Sequence, residues 1–163
     1  MVCPEECLRK IAFMGLHRIR LAAPWELSYQ KSDSAETAPA SSNRKLPLAL
    51  SELDLQESAS DAQTILLSRK FHCPTGLDAS TRVYIEIALE DFAAAATLVA
   101  VMLNKESLSI INRSDEEQCL LQIDVSGRLM AFNVIQLQFP FAASHTSGRL
   151  LSVTLMIEEQ AGD

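Results

Sequence analysis

The stretch RVYIEIALE, residues 82–90, decides how this chain is read. Val83, Ile85, Ile87 and Leu89 fall at alternate positions, with Arg82, Tyr84, Glu86 and Glu90 on the opposite phase. Successive side chains of an extended strand point to opposite faces, so a period of two predicts a strand with one face in a core and the other in water.

The same period recurs outward from that stretch. CLLQIDV (119–125) aligns Cys119, Leu121, Ile123 and Val125, and FNVIQLQF (132–139) aligns Asn133, Ile135, Leu137 and Phe139 against Gln136 and Gln138. LLSVTLMIE (150–158) aligns Leu151, Val153, Leu155 and Ile157, while TILLSRKF (64–71) places Ile65, Leu67 and Phe71 on a face with Arg69. A further strand is expected at HRIRLA (17–22), and VAVMLNKESLSII (99–111) reads as a hairpin turning at Asn104 and Lys105. Asn tolerates the left-handed backbone of a tight turn and Lys suits it less well, which predicts a turn longer than two residues. Short helices are expected only around residues 5–13 and in LPLALSELDLQ (46–56). Many short strands with intervening loops predict an all-β antiparallel β-sandwich rather than alternating βαβ units.

At 163 residues the chain suits one domain, large enough to bury roughly 70% of the surface its unfolded form exposes. Residues 1–15 read as an N-terminal extension and 16–160 as the sandwich. KSDSAETAPASSNRK (31–45) has no large apolar side chain with which to offset its ordering entropy, so a mobile loop is expected there. AASHTSG (142–148) is a shorter loop of the same kind. The apolar run from Phe92 to Leu103 is assigned to the core, since its 12 residues fall short of the about 20 that a membrane helix needs.

The chain carries 21 acidic and 14 basic residues, for a net charge of −7. Phosphate backbones call for clustered Lys and Arg, so nucleic acid is excluded as a partner. Glu5 and Glu6 stand where a secretory signal carries positive charge, so the protein is expected in the cytoplasm and off the membrane. Four scattered cysteines, Cys3, Cys7, Cys73 and Cys119, fit free thiols in a reducing compartment. No second pair with ligand spacing follows CPEEC, so no metal and no cofactor are expected.

The segments RVYIEI, AAATLVAVMLNKESL, LLQIDVSGRL and NVIQLQF together resemble a family. They are similar to the jelly-roll sugar-binding domain of β-galactosidase and β-glucuronidase type glycoside hydrolases, one of the galactose-binding-domain-like sandwiches. In that family an Arg-Val strand precedes a strand ending in Leu-Asn-Gly, followed by Phe-Asp-Ile/Val and then Asn leading into an alternating strand. Arg82-Val83, Leu103-Asn104, Ile123-Asp124-Val125 and Asn133 match that order. LAAPWEL around Trp25 resembles the family's opening strand. Lys105 stands where Gly is usual, and the Ala-rich EDFAAAAT departs from the pattern. The resemblance, over residues 16–158, implies a jelly roll that is an accessory to catalysis carried on a separate barrel, without catalytic activity of its own.

The residues give no independent support to an enzyme. No Gly-x-Ser-x-Gly elbow is present, and His17, His72 and His145 lie in unrelated segments. His72 and Cys73 are neighbours that a strand points apart. Glu86 and Glu90 share a face about 13 Å apart, wider than the roughly 5 to 9.5 Å of a glycosidase pair. Asn104, Asp124 and Asn133 are read as satisfying backbone groups at turns and strand ends, and NRSDEEQ (112–118) as a solvated turn.

Sugar binding needs an exposed aromatic ring beside polar groups. Tyr84, with Glu86 on the same face, is the first candidate. Trp25 is the second, although a lone Trp more often packs in a core. Two functions are therefore expected: a module binding a carbohydrate or similar polar ligand through Trp25, Tyr84 and Glu86, or an interaction module for a protein partner.

Overall fold

The computed structural model describes residues 15–31, 37–54, 62–115, 118–141 and 147–159. Its strands are β1 (Leu16–Arg20), β2 (Trp25–Lys31), β3 (Thr37–Arg44), β4 (Leu48–Ala49), β5 (Ala62–His72) and β6 (Arg82–Leu89), then β7 (Ala100–Leu103), β8 (Glu106–Leu108), β9 (Asn112–Asp115), β10 (Cys119–Asp124), β11 (Phe132–Pro140) and β12 (Arg149–Glu158). One sheet runs β1-β12-β6-β10-β9, with β4 also on β12, and the other runs β3-β2-β5-β11-β7-β8. The two antiparallel sheets pack as a sandwich, as the period of two predicts.

Alternation decides which side chains meet between the sheets. Val83, Ile85, Ile87 and Leu89 of β6 face Ile135, Leu137 and Phe139 of β11, and all of them are buried. Cys119, Leu121, Ile123 and Val125 join this core, as do Ile65, Leu67 and Phe71. In β12 the expected phase holds for Val153, Leu155 and Ile157 but not for Leu151. A bulge between Leu150 and Ser152 shifts the register, so Leu150 is the buried residue and Leu151 is only half-buried. An extra residue in one strand flips the phase beyond it.

Other expectations are corrected. Residues 37–44 form an edge strand on β2 instead of a loop. Its ladder is made by backbone groups, which need no large side chain at a sheet edge. Residues 32–36 lie outside the described residues. Asn112–Asp115 is likewise a strand, paired with β10, where a solvated turn was expected.

The β7–β8 turn has two residues, not more, because Leu103 pairs with Glu106. Asn104 and Lys105 take φ of 52° and 73°, the backbone of a tight hairpin turn. Asn104 is held there by its own N–H donating to the Val134 carbonyl and its Oδ1 accepting from the Val134 N–H, both at 2.9 Å.

The run from Phe92 to Leu103 does not enter the core as a unit. Phe92–Thr97 is a short helix, capped by Asp91, whose carboxylate accepts from the Ala94 N–H at 2.7 Å. Ala94, Ala95, Val101 and Leu103 are buried, whereas Phe92 and Val99 are exposed. Alanine favours a helix, and the Asp91 cap supplies the start signal. The expected helix in 46–56 is a 3₁₀ turn over Leu50–Asp54. The one expected at 5–13 lies outside the described residues, as do Cys3, Cys7 and His145.

Candidate functional site

Trp25 is 0% exposed, and its indole Nε1–H donates to the Leu21 carbonyl at 2.7 Å. Its ring therefore has no face to offer a ligand, and it acts as a core residue. Tyr84 and Glu86 do project from the outer face of their sheet, and both are half-buried by neighbouring strands. Tyr84 stands in register with Asp124 of β10 and Met156 of β12, and Glu86 with Gln122 and Thr154. Hydrogen bonds from the Ser126 hydroxyl and N–H, together with the nearby Arg82 and Arg128 charges, hold the Asp124 carboxyl below the usual range despite partial burial. The outcome is a mixed sheet face that, among the described residues, carries one aromatic ring.

Two concave features among the described residues lie elsewhere, where the two sheets part beside β1. His17 and Ile19 pair with Ile157 and Leu155 of β12, so they lie on the inner side of the sheet at its edge. Across from them runs the connection from β5 to β6. Asp78 locks it: Oδ1 accepts from the Ser80 N–H (2.8 Å) and hydroxyl (2.6 Å), and from the Thr81 N–H and hydroxyl (each 3.0 Å). Gly76 supplies the left-handed residue of that connection, with φ of +84°.

Between this wall and β1 lies a cavity of about 550 Å³, lined by His17, Arg18, Ile19, Pro74–Leu77, Thr81, Ile157 and Glu159. A second cavity, of about 410 Å³, shares Ile19 and Pro74 with the first and continues past Arg20, Leu21, Arg69, Phe71 and Cys73 to Leu155. The two form one groove with an apolar floor and a charged rim. Each falls within the roughly 300–1,000 Å³ of small-molecule sites. His17 Nε2 and Glu159 Oε1 stand 3.4 Å apart at one end, both exposed.

Arg69 is a half-buried charged group on the inner phase of β5. It pairs in register with the fully buried Ile135, and its Nη1 donates to the Pro24 carbonyl at 3.2 Å. Burial pushes its guanidinium below the ordinary arginine range. His72 turns to the outside and packs against Phe132, with ring centroids 4.6 Å apart and the planes tilted by 57°. Cys73 lies past the end of β5 as a free thiol, with its N–H on the Ala131 carbonyl. His72 and Cys73 do not form a nucleophile pair.

Among the described residues no group of three or more His, Cys, Asp or Glu could hold a metal, and no helix is long and apolar enough to cross a membrane. Sequence reasoning placed Arg69 on the inner face and identified the HRIR strand, but it did not bring the two together. The signal available was the basic character of HRIR beside a buried-phase arginine.

No family model matches the chain, and no curated protein does. Solved structures do match it along most of its length. The FMN-binding β-glucuronidase of Faecalibacterium prausnitzii L2-6 is 18% identical, with a TM-score of 0.52, over 87% of this chain and 22% of that one. The β-glucuronidase of Bifidobacterium dentium, solved with coumarin-3-O-glucuronide, is 14% identical, with a TM-score of 0.53, over 88% and 30%. The Dictyoglomus thermophilum β-D-glucuronidase is 7% identical, with a TM-score of 0.54, over 89% and 28%. The chain thus spans less than a third of the length of these enzymes, and the likeness is one of fold: a two-sheet antiparallel sandwich resembling part of the β-glucuronidases.

Proposed function

We propose that this chain is a non-catalytic binding module that takes a carbohydrate or similar polar ligand in the groove beside Leu16–Arg20. The observation that carries this reading is the groove itself. It is concave, walled by a connection that Asp78 holds in place, and combines an apolar floor (Ile19, Pro74, Leu77, Leu155) with polar rim groups (Arg18, Arg20, Thr75, Glu159). Sugars present apolar ring faces and hydroxyl edges, which such a surface complements. Tyr84 and Glu86 extend the reading around the sheet edge. Arg18, Met156 and Tyr84 occupy one cross-strand row, so a ligand longer than one sugar ring could pass from the groove to the Tyr84 ring.

Titration calorimetry of the chain against neutral and charged mono- and oligosaccharides tests this. Binding is expected to weaken on Ile19→Glu, which puts charge on the groove floor, and for longer oligosaccharides also on Tyr84→Ala. Absence of heat with every saccharide at millimolar concentration refutes it.

A second reading, an interaction module for a protein partner, is favoured by one observation. Val99, just before β7, and Ile110 and Ile111, just after β8, are exposed together at the open end of that hairpin. Clustered exposed apolar side chains mark contact surfaces. A stable co-purifying protein released by Val99→Asp, with no saccharide bound, would favour it over the first.

A further inference from the structure

The second cavity of the groove has an uneven charge. Arg20 and Arg69 line it, Lys70 and His72 border it from positions that turn outward, and no described Asp or Glu lines it, although the chain as a whole carries a net charge of −7. Lys70 is partly neutralised by Glu26, whose carboxylate lies 3.7 Å from the ammonium on the exposed side. Arg69 has no such relief. One of its nitrogens, Nη1, donates to the exposed Pro24 carbonyl, while Nε is buried and, like Arg44 Nε, has no hydrogen-bond partner among the described residues; Arg69 alone of the two lines the cavity.

A buried donor without an acceptor is destabilising, and native proteins rarely leave one. Desolvation without a counter-charge is also why the Arg69 guanidinium lies below its ordinary range. Both facts describe a cation lacking its anion. A guanidinium is planar and forked, and its strongest partners are oxyanions, which take charge-assisted hydrogen bonds from it.

We infer that the ligand of this groove carries an oxyanion, a sulfate, phosphate or carboxylate group, which Arg69 binds inside the second cavity with Arg20 at its rim. The inference deepens the binding reading above and rests on it for the rest of the ligand. Leu21 and Phe71, both buried, flank the anion on its apolar side and so strengthen its pairing with Arg69.

Calorimetry on the intact chain, at low and at physiological salt, compares dextran with dextran sulfate and with oligogalacturonate, and uses inorganic sulfate as competitor. At least one anionic saccharide is expected to bind about tenfold more tightly than dextran, as charge-assisted hydrogen bonds exceed neutral ones. Arg69→Gln, which keeps a donor for Pro24, should bring that preference below about twofold. Arg20→Gln, on an exposed edge strand, should lower it without moving the melting temperature, and the exposed Lys45→Gln should leave it intact.

The preference of dextran sulfate over oligogalacturonate, or the reverse, tells sulfate-type from carboxylate ligands. Equal affinity for dextran and both anionic saccharides, or a preference that survives Arg69→Gln, overturns the inference and leaves the binding reading standing. Inorganic sulfate bound in an Arg69-dependent manner, with no saccharide bound, supports the anion site and refutes the carbohydrate. No binding of any probe refutes both.

Discussion

Among the described residues Asn133 is the one side-chain amide sealed in the core, and its removal has a size that follows from its contacts. It is 1% exposed. Its Nδ2 donates to the Met130 carbonyl at 2.7 Å, and its Oδ1 accepts from the Met130 N–H at 2.9 Å and from Asn104 Nδ2 at 3.0 Å. Each neutral hydrogen bond contributes about 1 kcal/mol net, so Asn133→Ala should destabilise by about 3 kcal/mol. For a chain of this length that corresponds to a fall in Tm of about 6–12 °C.

Asn104→Ala loses the bond to Asn133 and the bond from Val134, and it places alanine at φ 52°. Its cost is again about 3 kcal/mol, of which about 1 kcal/mol is left-handed backbone. Because both single variants break the same 3.0 Å bond, the double variant should cost less than the sum by about 1 kcal/mol. Urea unfolding followed by fluorescence reads this directly, since Trp25 is the only tryptophan and is fully buried. A cost below about 1 kcal/mol for Asn133→Ala, or strict additivity in the cycle, would refute the account of this cluster.

Other perturbations follow from single features of the fold. Lys105→Gly should stabilise by about 0.5–1 kcal/mol, because glycine accepts the φ of 73° without steric cost and only part of that gain is lost to unfolded-state entropy; an unchanged or lower urea midpoint refutes it. Gly148→Ala should destabilise by about 1–3 kcal/mol, since a Cβ there would meet the Ala94 Cβ at 2.5 Å, and the paired Ala94→Gly should recover part of the loss. The Asp124 carboxyl is depressed in the folded state, so its contribution is complete above its unfolded value of about 3.9 and is lost as pH falls through the lower folded value. Asp124→Asn should therefore flatten the fall in stability below about pH 4, and a wild-type slope in the variant counts against this.

The period of two made the core legible because burial on one face is a local property of each strand. Val83, Ile85, Ile87, Ile135, Leu137 and Phe139 could each be assigned without knowing which strand lies beside which. Where backbone pairing or an extra residue sets the structure, that signal is silent. β3 is held by its ladder to β2 and needs no apolar side chain, and the bulge at Leu150–Ser152 cannot be read from LLSVTLMIE, because Leu150 and Leu151 are equally apolar candidates for the core.

The groove was illegible for a related reason. Alternation separates inside from outside, so it drew attention to Tyr84 and Glu86 on an outer face and could not identify a place where the two sheets part. That place depends on strand order: β1 is an edge because it pairs with β12 alone, and only this pairing brings His17 and Ile19 opposite Pro74 and Leu77. Arg69 shows the consequence most plainly. Its phase assigns it to the core, where an arginine is costly unless paired, yet the partner it lacks is absent from the segments around it. An inward arginine in an otherwise apolar strand phase therefore marks either an ion pair from a distant segment or an opening to solvent, and the parting of the sheets at β1 makes Arg69 the second case.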